Sequence, residues 1–118
     1  MELIFIKTLE YRIYDSVYND IISGKKTIEF RLLNDKTESI RVGDQIKFVV
    51  VDENDKYVFV KVKDKYVYND IDDLWAHEDI SNSVLNYSKD EFTDVFYNIF
   101  GKEKVENSKI VGILFTLM

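Results

Sequence analysis

The stretch Gly24-Lys25-Lys26-Thr27-Ile28-Glu29-Phe30-Arg31-Leu32 decides how this chain is read. From Lys26 onward it alternates strictly. Ile28, Phe30 and Leu32 fall on one face, and Thr27, Glu29 and Arg31 on the other, which is the period of a half-buried strand with a polar row on its open face. The residues before it have the other period. Ile13, Val17 and Ile21, widened by Tyr14, Tyr18 and Ile22, predict a helix over about 11–23. Gly24 suits the position just past that helix, because glycine enters the left-handed region without a steric cost. Lys25 and Lys26 then lie beyond the helix's negative end, where cations are favoured.

Working outward, Leu3 to Leu9 reads as a first strand and 33–41 as a polar loop. Val42-Gly43-Asp44 is a turn into a strand over Gln45 to Val51. The polar run 52–56 closes a hairpin into a strand from Tyr57 to Lys65, with Val58, Val60 and Val62 opposite Lys61 and Lys63. Asn69 or Asp70 caps a short helix through Ile71, Leu74 and Trp75. Ser88-Lys89-Asp90-Glu91 is a capping-box pattern. It opens a helix with Phe92, Val95, Phe96 and Ile99 on one face and Gly101 at its end. Ile110 to Leu117 is an unbroken apolar strand of the kind found in a sheet's interior. The order predicts a single α+β domain over 1–118, a small mixed barrel with helices at its rim.

A length of 118 residues is sufficient for one core. The chain has no cysteine, so disulfides and thiolate metal sites are excluded. The start carries an early acid in a short apolar run and does not read as a signal peptide. No run approaches the roughly 18 apolar residues of a membrane span. A cytoplasmic protein without a membrane partner is the expectation. His77 is the only histidine. The acids around it (Asp70, Asp72, Asp73, Glu78 and Asp79) read as a solvated loop, so neither metal nor cofactor is expected. The net charge of −6 argues against a protein that grips long nucleic acid by bulk electrostatics. Its distribution is uneven. Residues 24–47 carry a net +2 and residues 66–118 a net −6, so an anion site belongs to the first half as a local pocket.

The motif Gly24-Lys25-Lys26-Thr27-Ile28-Glu29-Phe30-Arg31 resembles the signature of ASCH domains. The resemblance extends to the preceding helix, Val42-Gly43-Asp44 before a strand, Phe100-Gly101 at the end of the late helix, and the closing Val111-Gly112-Ile113-Leu114-Phe115. It implies a PUA-like β-barrel whose cleft receives RNA, a nucleotide or a nucleoside. Some relatives hydrolyse acetylated cytidine with a lysine, a threonine and a glutamate. Lys26 matches that lysine, but Glu29 stands at the threonine position, and a carboxylate cannot replace a hydroxyl nucleophile without a change of mechanism. Thr27, on the face of Glu29, would have to be the substitute hydroxyl with no motif supporting it, and Glu78 and Glu91 match the later glutamate only by region, so the departure weakens the enzyme reading.

The ligand-binding residues expected from this resemblance are Lys25, Lys26, Thr27, Glu29 and Arg31. Lys26 would meet a phosphate or polarised carbonyl through a charge-assisted hydrogen bond, or would instead cap the helix carbonyls. Glu29 and Arg31, about 7 Å apart along the strand, would pair and hold the guanidinium flat for a bidentate grip, or form an ordinary surface ion pair. Thr27 would donate to the ligand or serve as a good strand residue. Lys25 would add long-range attraction, and Lys47, Lys61 and Lys63 would extend a basic strip or protect an edge. Trp75, Tyr66 and Tyr68 read as core anchors before they read as stacking platforms. Three function classes follow. The first is a module binding RNA or a nucleoside, the second an amidohydrolase using Lys26, Thr27 and Glu29, and the third a protein-interaction domain. Oligomeric state is left open.

Overall fold

The structure, a computed structural model, describes residues 5–77 and 87–118. Its elements are β1 (Thr8–Ile13), α1 (Asp15–Ile22), β2 (Ile28–Leu32), α2 (Asp35–Glu38), β3 (Gln45–Val50), β4 (Glu53–Tyr68), α3 (Ile71–Ala76), α4 (Lys89–Phe100), α5 (Lys102–Glu106) and β5 (Ile110–Leu117). The five strands form one mixed sheet in the order β1-β3-β4-β5-β2, curled into a half-barrel with helices around it. β1 runs parallel to β3, and all other pairs are antiparallel.

Two cores lie on the two sides of this sheet. Inside the curl, Tyr11, Ile46, Phe48, Val60, Val62, Ile113 and Phe115 pack with Ile21 of α1. Outside it, Ile28, Phe30, Leu32 and Ile110 pack under Leu74 of α3, Phe92 and Phe96 of α4, and Val105 of α5. Strands β2 and β5 are therefore covered on both faces, which accounts for the unbroken apolar run of β5. Gly112 on β5 leaves room for the second core. A Cβ there would lie 3.1 Å from Phe30 and 3.3 Å from Ile28.

The structure corrects several boundaries. The first strand is Thr8–Ile13, not Leu3 to Leu9, and Leu3 lies outside the described residues. Leu9, Tyr11 and Ile13 alternate inward with Thr8, Glu10 and Arg12 outward. Ile13 also fits the helical spacing of Val17 and Ile21, which is why the helix reads as starting too early. The segment 33–41 is not a plain loop. Asn34 and Thr37 form a capping box for the short α2, and the buried Thr37 hydroxyl donates to the carbonyl of Leu32 at 2.9 Å. The hairpin turn is tighter than 52–56, with Asp52 at φ 64°. β4 then runs 16 residues and exchanges β3 for β5 as its partner, with an irregularity between Val62 and Asp64. No helix among the described residues is long and apolar enough to cross a membrane.

Candidate functional site

Gly24 sets the site in place. At φ 80° it reverses the chain after α1, its N–H donating to the Ile21 carbonyl at 3.1 Å. Two residues on, the Lys26 N–H donates to the Asp20 carbonyl at 2.9 Å. These bonds hold the start of β2 against the end of the helix and carry the Lys26 side chain to the same side as Glu29.

There the charges converge. The Lys26 ammonium lies 3.2 Å from one carboxylate oxygen of Glu29, and the Arg31 guanidinium donates to the other from Nη2 at 3.0 Å and from Nε at 3.3 Å. Glu29 is buried, its side chain only 10% exposed, so the polar row of β2 does not look onto open solvent as its alternation suggested. It faces the mouth of the half-barrel. Burial by itself pushes the Glu29 carboxyl up, but the charges and hydrogen bonds of Lys26 and Arg31 outweigh it and hold the group below the usual carboxylate range.

Arg31 also joins the sheet's two open edges. Its Nη2 donates to the Arg12 carbonyl on β1 at 3.1 Å, and the guanidinium stacks 4.5 Å from the centroid of Tyr11. The Lys36 ammonium lies against the same ring at 4.0 Å and donates to the Glu10 carbonyl. Buried between them, Tyr11 has its phenol pushed up, chiefly by burial, with Arg31 lowering it and Glu29 raising it.

The triad opens into a cleft of about 580 Å³ between the end of β1, α1, β2 and α4. Among the described residues, Arg12, Asp20, Lys26, Glu29 and Arg31 are the charged lining, three cations against two anions. The opposite lining is apolar, with Phe92, Val95, Phe96 and Ile99 of α4 and the exposed rings of Tyr14 and Tyr87. The described lining thus offers one surplus positive charge beside a surface fitted to a flat or apolar body.

Of the five residues expected in the site, Lys26, Glu29 and Arg31 come together in the cleft. Lys25 and Thr27 do not line it; both are exposed, and Thr27 precedes β2, where its carbonyl accepts from the Phe115 N–H at 2.9 Å. Glu91 belongs to the capping box of α4, accepting from the Ser88 N–H at 3.1 Å, while Glu78 and Asp79 lie outside the described residues. Trp75 and Tyr68 belong to the outer core, where Trp75 packs 5.1 Å from Phe92, and Tyr66 packs against it. The Nε2 of His77 lies 3.7 Å from the Asp73 carboxylate. Sequence reading missed Arg12, Tyr14 and Asp20 because it placed them within one long helix. The break between strand and helix at Tyr14 is what turns Arg12 and Asp20 toward a common opening.

No family model matches the sequence, and no curated protein matches it significantly. Solved structures do. The hypothetical protein PH0355 superposes with a TM-score of 0.78 at 26% identity, over 96% of this chain and 100% of that one. Protein PF0455 from Pyrococcus furiosus gives 0.72 at 26%, over 96% and 98%. The ASCH domain from Lactobacillus crispatus gives 0.69 at 16%, over 95% of this chain and 79% of that one. These likenesses span nearly the whole chain, and the chain has an ASCH-like fold.

Proposed function

We propose that the cleft binds RNA through one inserted nucleotide, or a free nucleotide or nucleoside, in a cytoplasmic protein. The observation that supports this most is the clamping of Lys26 and Arg31 on one buried carboxylate. Two cations on Glu29 leave a positive surplus in a partly dry site, where a charge-assisted hydrogen bond to a phosphate or carbonyl oxygen is strong. Among the described residues, Arg31 makes its hydrogen bonds from Nε and Nη2, so the two Nη1 donors remain for a ligand oxygen. The aromatic and aliphatic lining across the cleft supplies the surface against which a base would lie. Lys25, exposed nearby, adds only long-range attraction.

Titration with short single-stranded RNA and with nucleosides, at low and moderate salt, tests this reading. Arg31→Ala and Lys26→Ala are expected to weaken binding about tenfold or more, the worth of one strong charged hydrogen bond. Unchanged affinity in both variants, with the fold intact, sinks the proposal. A second reading, hydrolysis of an acetylated cytidine, is supported by the closeness of Lys26 to Glu29. It lacks a hydroxyl from Thr27, which lies outside the cleft, although Ser16 lines it. Turnover of acetylated cytidine above a Lys26→Ala control would establish that reading; none removes it.

A further inference from the structure

The outer face of the half-barrel holds a second arrangement that the cleft does not explain. Tyr57 and Phe59 project side by side from β4, exposed by 45% and 37%, with ring centroids 5.7 Å apart and planes at 80°. Along β4 follow the exposed Lys61, on the same face, and the exposed Lys63 at the irregularity after Val62. From β3, Lys47 stands opposite Phe59 in the register, with its ammonium 4.4 Å from the Tyr57 centroid and 6.0 Å from that of Phe59.

We infer that this face is a stacking platform for single-stranded nucleic acid, an extension of the binding path beyond the cleft. Exposed rings interleaved with cations fit such a strand: bases stack on the rings irrespective of sequence, and phosphates meet the ammoniums. Two features of the fold favour this occupant. The first is charge. Lys47 lies over the rings and Lys61 and Lys63 follow them along β4, three cations against Glu10, which lies 4.0 Å from Lys47, and against Glu53 and Asp55 at the turn end of β4.

The second is continuity with the cleft. Arg12, which lines the cleft, bonds Asn54 at the start of β4 at 2.6 Å and lies 3.7 Å from Glu10. Glu10 in turn lies 4.0 Å from Lys47. A strand with one nucleotide in the cleft would pass from the Arg12 cation to the Lys47 cation beside the rings, the Glu10 carboxylate between them being held by both. A second copy of the chain fits less well. An aromatic side chain buries about 150–250 Å² in full, so two half-exposed rings offer far less than the roughly 800 Å² per partner of a stable interface. The inference rests on the cleft reading only for the route between the two sites.

Fluorescence anisotropy with labelled octauridylate, alongside calorimetry with uridine monophosphate, tests it. Both rings are exposed, so Tyr57→Ala and Phe59→Ala are expected to melt as the wild type does, and Tyr57→Phe with Phe59→Tyr keeps the stacking surface. The double alanine variant should bind the oligomer about tenfold or more weakly, the worth of one lost stack, with monophosphate binding unchanged. The ring-preserving variant should bind both as the wild type does. Lys61→Glu with Lys63→Glu should lower the salt slope for the oligomer by about 0.7 for each phosphate released. Oligomer binding that survives the double alanine change but fails in Arg31→Ala overturns the platform and leaves the cleft standing. Loss in the alanine variant with Arg31→Ala unaffected keeps the platform and overturns the cleft. An oligomer that fails to bind the wild type overturns both. A dimer seen by sedimentation and abolished by Phe59→Ala, with no change in oligomer binding, assigns the face to a second copy and overturns the proposal.

Discussion

Glu29 is the residue on which the site balances. Removing its charge leaves Lys26 and Arg31 facing one another in a partly buried place, so Glu29→Gln is expected to cost about 3 kcal/mol at neutral pH, as broken buried pairs do. Urea denaturation measures this directly. The pH dependence has a definite sign. The folded carboxyl titrates below its ordinary value of 4.5, so its contribution to stability is complete above that value and is lost as pH falls through the lower folded one. The gap between wild type and Glu29→Gln should hold from neutrality down to about pH 5 and close under stronger acid. A constant gap down to about pH 2 would contradict the ion-pair account. At this scale the sequence was informative for three positions, because alternation places residues 29 and 31 on one strand face and the end of the first helix places Lys26 beside them. It could not show that the face was enclosed, since enclosure depends on α1, β1 and α4 arriving from elsewhere in the chain.

Two glycines and one helix cap position the elements around the cleft. At Gly24 a methyl group would meet nothing within 4 Å, so the cost of Gly24→Ala comes only from the backbone at φ 80°, about 1 kcal/mol. Gly112→Ala differs in kind. Its Cβ would press on Phe30, Ile28 and Tyr68, and overpacking costs about 1–3 kcal/mol. Thermal melts of the two variants, followed by ligand titration, separate these effects. Gly24→Ala should also disturb Lys26 and weaken binding, whereas Gly112→Ala should act on stability first. Ser88 caps α4 by accepting from the Glu91 N–H at 3.1 Å, and Ser88→Ala is expected to cost about 1 kcal/mol by denaturant titration. Both capping signals, Ser88 with Glu91 and Gly24 after the first helix, were legible because they are local. The capping box of α2 was missed: Asn34 and Thr37 look like ordinary loop residues until the Thr37 hydroxyl is seen buried against Leu32.

At the scale of the whole molecule, the outer core meets the cleft through α4. Phe92 packs against Phe30 at 5.6 Å and Phe96 at 5.0 Å, and it also lines the cleft. Phe92→Ala is expected to cost about 3–5 kcal/mol. The change should be visible in the fluorescence of Trp75, the chain's only tryptophan, which lies beside it. Asp44 adds a second acid-sensitive lock. Burial alone would raise its carboxyl, but bonds from Lys7 and the Arg41 N–H hold it low, so it joins Glu29 in losing its contribution under acid. The sequence by itself determined the kinds of the longer elements, though not the short helices α2 and α5, together with the α+β class, the motif from Gly24 to Arg31 and the buried character of β5, because periodicity and capping act over a few neighbouring residues. Only the tertiary structure decided where β1 ends, that β4 serves two partners, and that Thr27 stays outside while Arg12, Asp20 and α4 complete the cleft. Those outcomes depend on which distant segments compete for the same space, and no local pattern encodes that competition.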